Sequence, residues 1–126
     1  MTPPPRVLIV DDHALNIELA RFVLEADGLA VDGAADAEQA LACIARCRPD
    51  LVLMDIQMPG EDGLALTQRL KADPALRHIV VVAFTAFAMK GDEARMRQAG
   101  CDGYLSKPIE VSRFAGQVRG FLAGAT

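Results

Sequence analysis

No run in the 126-residue sequence approaches the ~20 consecutive apolar residues that a membrane-spanning helix needs. The N-terminus, Met1-Thr2-Pro3-Pro4-Pro5-Arg6, lacks the apolar core of a secretion signal, so a frayed lead-in over residues 1–5 and a cytoplasmic protein are expected. Basic residues are not in excess. The 13 Lys and Arg stand against 17 Asp and Glu, a net charge of −4, and no basic helix is present. Nucleic acid and anionic membranes would not attract such a surface. Histidine occurs only as His13 and His78, and cysteine only as Cys43, Cys47 and Cys101. An odd cysteine count without secretion features fits reduced thiols. Cys43 and Cys47 lie four apart on an expected helix and raise the question of a metal site. It would need further ligands, and neither histidine is near in sequence. Structural or semi-buried thiols are therefore expected. Repeats, low-complexity tracts and linkers are also missing, so one domain over residues 6–123 is expected, long enough to bury a real core.

What is there is an alternation of apolar strands and helices. With 52% hydrophobic and 24% charged residues the composition is that of a compact folded chain. Leu51-Val52-Leu53-Met54 runs without interruption into Asp55, and Pro59-Gly60 follows. An unbroken apolar run bounded by turn signals reads as a strand buried on both faces of a parallel sheet. Arg6–Val10 is a second such strand, ending in Asp11-Asp12; a helix over about Ala14–Ala26 is stopped by Gly28. In that helix Leu15, Leu19, Phe22, Val23 and Ala26 recur at helical spacing and are expected to face the sheet. Leu29–Ala34 reads as a short strand. Asp36 with Gln39 forms a capping-box pattern that opens a helix through Arg46, which Pro49 terminates. A helix over about Gly63–Lys71, the strongly apolar strand Ile79–Phe84 and a helix over about Asp92–Ala99 follow. Gly103–Leu105 makes a last strand, and a helix over about Glu110–Leu122 should turn Val111, Phe114, Ala115, Val118 and Leu122 inward. Five strand-helix units in succession predict an α/β domain, a doubly wound five-stranded parallel sheet with helices on both faces.

The strand ends carry the chemistry. Asp11 and Asp12 follow the first strand, Asp55 the third, Thr85 the fourth and Lys107 the fifth. Parallel strands finish on one edge of the sheet, where ligands of such folds bind, so these groups converge. Two carboxylates ~4 Å apart repel by about 4 kcal/mol at an effective dielectric near 20, and a cluster of three calls for a cation. Hard oxygen donors without thiolate or imidazole select a hard divalent ion, Mg²⁺ first. A phosphoryl group would be met there by the metal, the Lys107 ammonium and the Thr85 hydroxyl. A carboxylate that attacks phosphorus forms an aspartyl-phosphate. Asp55 is the best-placed nucleophile, although nothing in the physics alone excludes Asp12.

VLIVDD at 7–12, LVLMDIQMP at 51–59, VVAFTA at 81–86 and GYLSKP at 103–108 together resemble the receiver domain of response regulators, the CheY-like family. The resemblance covers essentially the whole chain, and the family's strand order 2-1-3-4-5 is taken over with it. It implies that Asp55 accepts phosphate from the phosphohistidine of a histidine kinase, or from a histidine phosphotransferase, and that Mg²⁺ is held by Asp11, Asp12, Asp55 and the backbone carbonyl of Gln57. Thr85 and Lys107 would contact the phosphoryl group. Thr85 and Tyr104 would be the switch residues that reshape the surface of the fourth helix, fifth strand and fifth helix for a downstream protein. The bond between Lys107 and Pro108 is typically cis in the family. The runs Thr85–Glu93 and GCDGYLSKPI are especially similar to a stand-alone cell-cycle regulator of sensor kinases, and no effector domain is expected. A phosphorelay intermediate and a motility regulator are the alternatives within the family. Turnover is expected only as self-catalysed phosphorylation and dephosphorylation at Asp55.

His13 reads as an exposed loop residue with a secondary chance of tuning the site, and Phe87 as a residue that shades the phosphoryl group. On the first helix Ile17, Ala20 and Leu24 lie opposite the face assigned to the sheet, and are expected to form an exposed apolar stripe that docks on the helical bundle of a phosphodonor. Two other classes fit less well. A flavodoxin-like carrier would want a glycine- and hydroxyl-rich phosphate loop where Asp11-Asp12-His13 stands, and a small-molecule phosphatase would want an extra cap segment.

Overall fold

A computed structural model describes residues 4–56, 63–85, 90–107 and 109–124, the side chains of 90–93 and 124 excepted. The chain alternates strand and helix throughout: β1 (Arg6–Val10), α1 (Ala14–Ala26), β2 (Ala30–Ala34), α2 (Ala37–Cys47), β3 (Leu51–Asp55), α3 (Gly63–Ala72), β4 (Val80–Thr85), α4 (Lys90–Ala99), β5 (Gly103–Ser106) and α5 (Val111–Gly124). All pairings are parallel and the order is β2-β1-β3-β4-β5. Element ends differ from the sequence reading by one or two residues. Every residue of β3 and β4 is buried, as unbroken apolar runs require when helices cover both faces of a sheet.

Side-chain alternation divides the core in two. Val7, Ile9, Leu51, Leu53, Val82, Phe84 and Leu105 pack with α1 and α5 through Ala20, Leu24, Phe114 and Val118. Leu8, Val10, Val52, Met54, Val81 and Ala83 pack on the other face with Ile44 of α2, Leu66 of α3 and Met96 of α4. The helix ends follow local chemistry. The Asp36 carboxylate accepts from the Gln39 amide at 2.8 Å, and the Gln39 side chain accepts from the Ala35 amide at 2.9 Å. Gly28 takes φ +89° and lets Leu29 N–H reach the Leu24 carbonyl, which closes α1.

The orientation of α1 is the reverse of the one its apolar spacing suggested. Ala20 and Leu24 are fully buried and Ile17 packs beside them, whereas Leu15 is 83% and Phe22 74% exposed, with Leu19 also outside. The predicted stripe Ile17, Ala20, Leu24 is therefore the core face. Of the residues assigned to the sheet only Val23 is buried, and Ala26 is exposed. The cause lies in β2. A Cβ on Gly33 would stand 2.6 Å from Ile17 Cγ2, so the glycine makes the hollow into which Ile17 fits. Small Ala20 then lets the helix settle on the sheet. On α5, Phe114 and Val118 face inward as expected, but Val111 at the first turn is 58% exposed.

Candidate functional site

Strand parity assembles the acid site. Asp11 stands two residues after Ile9, Asp55 two after Leu53 and Lys107 two after Leu105, and those three apolar residues share the α1/α5 face. Continuing each strand by one alternation brings the three charged groups to the same side of the same sheet edge. Asp11 is fully buried and Asp55 nearly so, while Asp12 is exposed.

Lys107 Nζ donates to Asp11 Oδ2 at 2.7 Å and lies 3.5 Å from Asp55 Oδ2. Its backbone amide donates to the Thr85 carbonyl at 2.8 Å, and its ammonium sits 5.2 Å from the centre of the Phe84 ring. The lysine is thus aimed by β4 on two sides, through the backbone and through a cation–π contact. The other Asp11 oxygen accepts from the His13 amide at 2.9 Å. His13 is the N-cap of α1, and its Nδ1 lies 3.1 Å from Asp12 and 3.4 Å from Asp11. Asp11 and Asp12 also precede the first turn of α1, at the positive end of its dipole.

One ligand atom from each of Asp11, Asp12, His13 and Asp55 lies within 4.8 Å of the others. Oxygens on one octahedral Mg²⁺ at about 2.1 Å stand roughly 3 to 4 Å apart, so the carboxylate set fits that ion, while the His13 imidazole is not a donor that Mg²⁺ favours. The single ammonium of Lys107 balances one of the three carboxylates, and a divalent cation would balance the rest.

Of the residues singled out from sequence, Asp11, Asp12, Asp55 and Lys107 come together as expected. Thr85 is buried at the end of β4, one residue beyond Phe84, the register partner of Asp55. Tyr104 lies elsewhere: it pairs with Ala83, is 40% exposed, and lines a groove of about 540 Å³ with Met96, Arg97, Asp102 and Phe121. Gln57, Phe87 and Pro108 lie outside the described residues. Gly63 was not singled out from sequence, yet a Cβ there would stand 2.2 Å from the Asp55 carbonyl and 2.8 Å from Ile56 Cα. Only glycine lets α3 begin against the backbone of the acid loop. A glycine at a helix start is a weak signal, and chain order contains no distance by which to read it.

The receiver domain family of response regulators matches residues 7–119. The polar-differentiation response regulator DivK of Brucella anthropi is 49% identical over 122 residues, which span 97% of this chain and 99% of that protein. DivK of Brucella ovis is 49% identical over 119 residues, 94% of this chain and 97% of that one. Among solved structures, the receiver domain of a signal transduction histidine kinase from Syntrophus aciditrophicus superposes with a TM-score of 0.85 at 32% identity, covering 95% of this chain and 91% of that one. The Vibrio cholerae chemotaxis protein CheY4 superposes at 0.89 with 22% identity over 94% of this chain and 98% of its own, which speaks for the fold. Receiver domains generally bind Mg²⁺ at an acidic pocket, and interact with histidine kinases and other proteins. By its sequence match, its strand order and the acid cluster at its sheet edge, the chain belongs to the response regulator receiver domain family.

Proposed function

We propose that this chain is a phospho-accepting switch in which Asp55 takes a phosphoryl group from the phosphohistidine of a kinase or phosphotransferase. The observation that carries this reading is the Lys107 ammonium held between Asp11 and Asp55 at 2.7 and 3.5 Å. A cation between two buried acids, one of them at the end of the central strand, is placed to meet incoming phosphoryl oxygens. An Asp55 oxygen attacks phosphorus, the O–P bond forms, and the P–N bond breaks with its electron pair left on the imidazole. Mg²⁺, when held by Asp11, Asp12 and Asp55, supplies charge that neutralises the phosphoryl oxygens. Lys107 holds one of those oxygens and the Thr85 hydroxyl donates to another.

Burial of Thr85 beside the site and exposure of Tyr104 on the α4-β5-α5 face support a switch that runs along β4 and β5 to the groove beside Tyr104. A downstream protein reads that face. The name of the DivK relatives supports a role in polar differentiation, which we extend to a cell-cycle role exerted on sensor kinases. The exposed apolar stripe is Leu15, Leu19 and Phe22, and it begins two residues after His13. That position, beside the acid site, supports docking of the donor's helices along α1.

The test is incubation with Mg²⁺ and acetyl phosphate, wild type beside Asp55→Asn, followed by intact mass. Wild type gains one phosphoryl group, and the variant or a chelated sample gains none. Equal labelling of the two proteins, or none in either, overturns the reading.

A further inference from the structure

A second cluster stands between the edge strand β2 and α2. Asp32, Cys43 and Cys47 each place a donor atom within 4.8 Å of the other two. The helical spacing of four stacks the two cysteines on one face of α2. Asp32 pairs with Leu8 in the sheet and shares its face with Ala34, both of which lie in the core beneath α2. The strand thus puts a carboxylate where its neighbours put apolar groups. Arg6 Nη1 takes one Asp32 oxygen at 2.8 Å, which leaves that carboxylate a second oxygen. The Arg46 guanidinium stands close enough to Cys47 to interact with it electrostatically. Cys43 is buried and Cys47 half-buried, so the cluster is shielded on one side and open on the other.

We propose that Asp32, Cys43 and Cys47 form a binding site for a thiophilic divalent metal ion, with Zn²⁺ as the ion its donors suit. Two sulfur ligands exclude Mg²⁺ and Ca²⁺, and an oxygen as third ligand argues against Cu⁺. Three protein ligands with an open fourth position are a familiar Zn²⁺ arrangement. Charge also closes. Before binding, Asp32 is matched by Arg6. As the two S–Zn bonds form, each thiol gives its proton to solvent, so two positive charges arrive and two leave, and the net charge of the cluster is unchanged. Sequence spacing offered no third ligand near the two cysteines, and the pairing of β2 with β1 provides it. This site is independent of the phosphoryl-transfer reading, and each stands if the other fails.

The test is titration of the full chain, under a non-thiol reductant, with Co²⁺ as the optical probe. A sulfur-to-cobalt charge-transfer band in the near ultraviolet is expected at one ion per chain, since Co²⁺ on carboxylates alone has no such band. Zn²⁺ should bleach it and millimolar Mg²⁺ should not. Cys47→Ser, with its fold checked by circular dichroism, should lose the band, while Cys101→Ser keeps it. Asp32→Asn should weaken binding by about tenfold or more, in the range that even outer partners of metal ligands reach. A wild type without the band, or a band that survives in Cys47→Ser, overturns the proposal.

Discussion

Lys107 is nearer to Asp11 than to Asp55, with its ammonium 2.7 Å from the first carboxylate and 3.5 Å from the second. Asp11 is fully buried, so the lysine both pairs with a carboxylate shut off from water and stands within reach of the proposed acceptor. The two duties make a double prediction. Lys107→Met should slow labelling by acetyl phosphate by roughly 100-fold, the usual loss when one charge-stabilising donor is removed. In chelator it should also destabilise the fold by about 3 kcal/mol, because a buried carboxylate loses its cation. Denaturant melts beside labelling rates check both, and a variant as stable as wild type would refute the structural half.

The remaining carboxylates pull the other way. Asp12 and Asp55 share their small volume with Asp11, and their repulsion opposes folding until a cation arrives. Asp55→Asn should therefore raise the melting temperature in chelator. Mg²⁺ should stabilise wild type by about 2.7 kcal/mol at about 100 times its Kd, and the variant by less. Thermal melts with and without Mg²⁺ measure this; an Asp55→Asn protein that melts lower in chelator counts against the crowding of charge.

The α1 stripe separates docking from folding by position on one helix. Leu15→Glu with Phe22→Glu changes exposed residues and should alter stability by no more than about 0.5 kcal/mol. Transfer from a phosphorylated histidine kinase should slow by about tenfold or more, since truncating a contact aromatic costs on the order of 2 kcal/mol. Labelling by acetyl phosphate should not change. Leu24→Glu, at a fully buried position, should unfold the protein instead. Equal slowing with both phosphodonors would sink the docking role.

The reversed stripe shows where sequence reasoning stopped. The strands were legible because β1, β3 and β4 are unbroken apolar runs with acids standing visibly at their ends, whereas their order came only with the family resemblance. On α1 two apolar arcs have the same helical period, and the bulkier one, with Leu15, Leu19 and Phe22, was the natural choice for the core. What decided was a contact across 16 residues, Ile17 seated over Gly33 of β2, and no periodicity within α1 contains it. The same limit hid Gly63 under the Asp55 loop and Asp32 beneath Cys43. Each matters through a neighbour that only the fold supplies.

Gly63 gives the sharpest local test. Gly63→Ala places a methyl group against the Asp55 carbonyl, and the backbone there must shift to admit it. A loss of about 1–3 kcal/mol is expected, as for other insertions into close-packed sites. Labelling at Asp55 should slow as well, because the displaced segment carries the acceptor. Unchanged stability together with an unchanged labelling rate would mean that α3 can move off the loop freely.

Stability should also fall at alkaline pH through Cys43. Burial pushes this thiol up from the ordinary value of 9.0 to about 11, with a smaller contribution from neighbouring Cys47. The folded chain therefore keeps the proton over a range in which the unfolded chain has lost it. The unfolded state binds fewer protons there, so the stability that Cys43 contributes is fully present below pH 9 and is lost as pH rises toward 11. Burial raises Cys101 too, so part of the decline belongs to that residue. Cys43→Ser should start from a lower baseline and fall less steeply between pH 9 and 11. Urea melts of both proteins at several pH values, in reductant and chelator, measure the two slopes, and parallel slopes would exclude Cys43 as the titrating group.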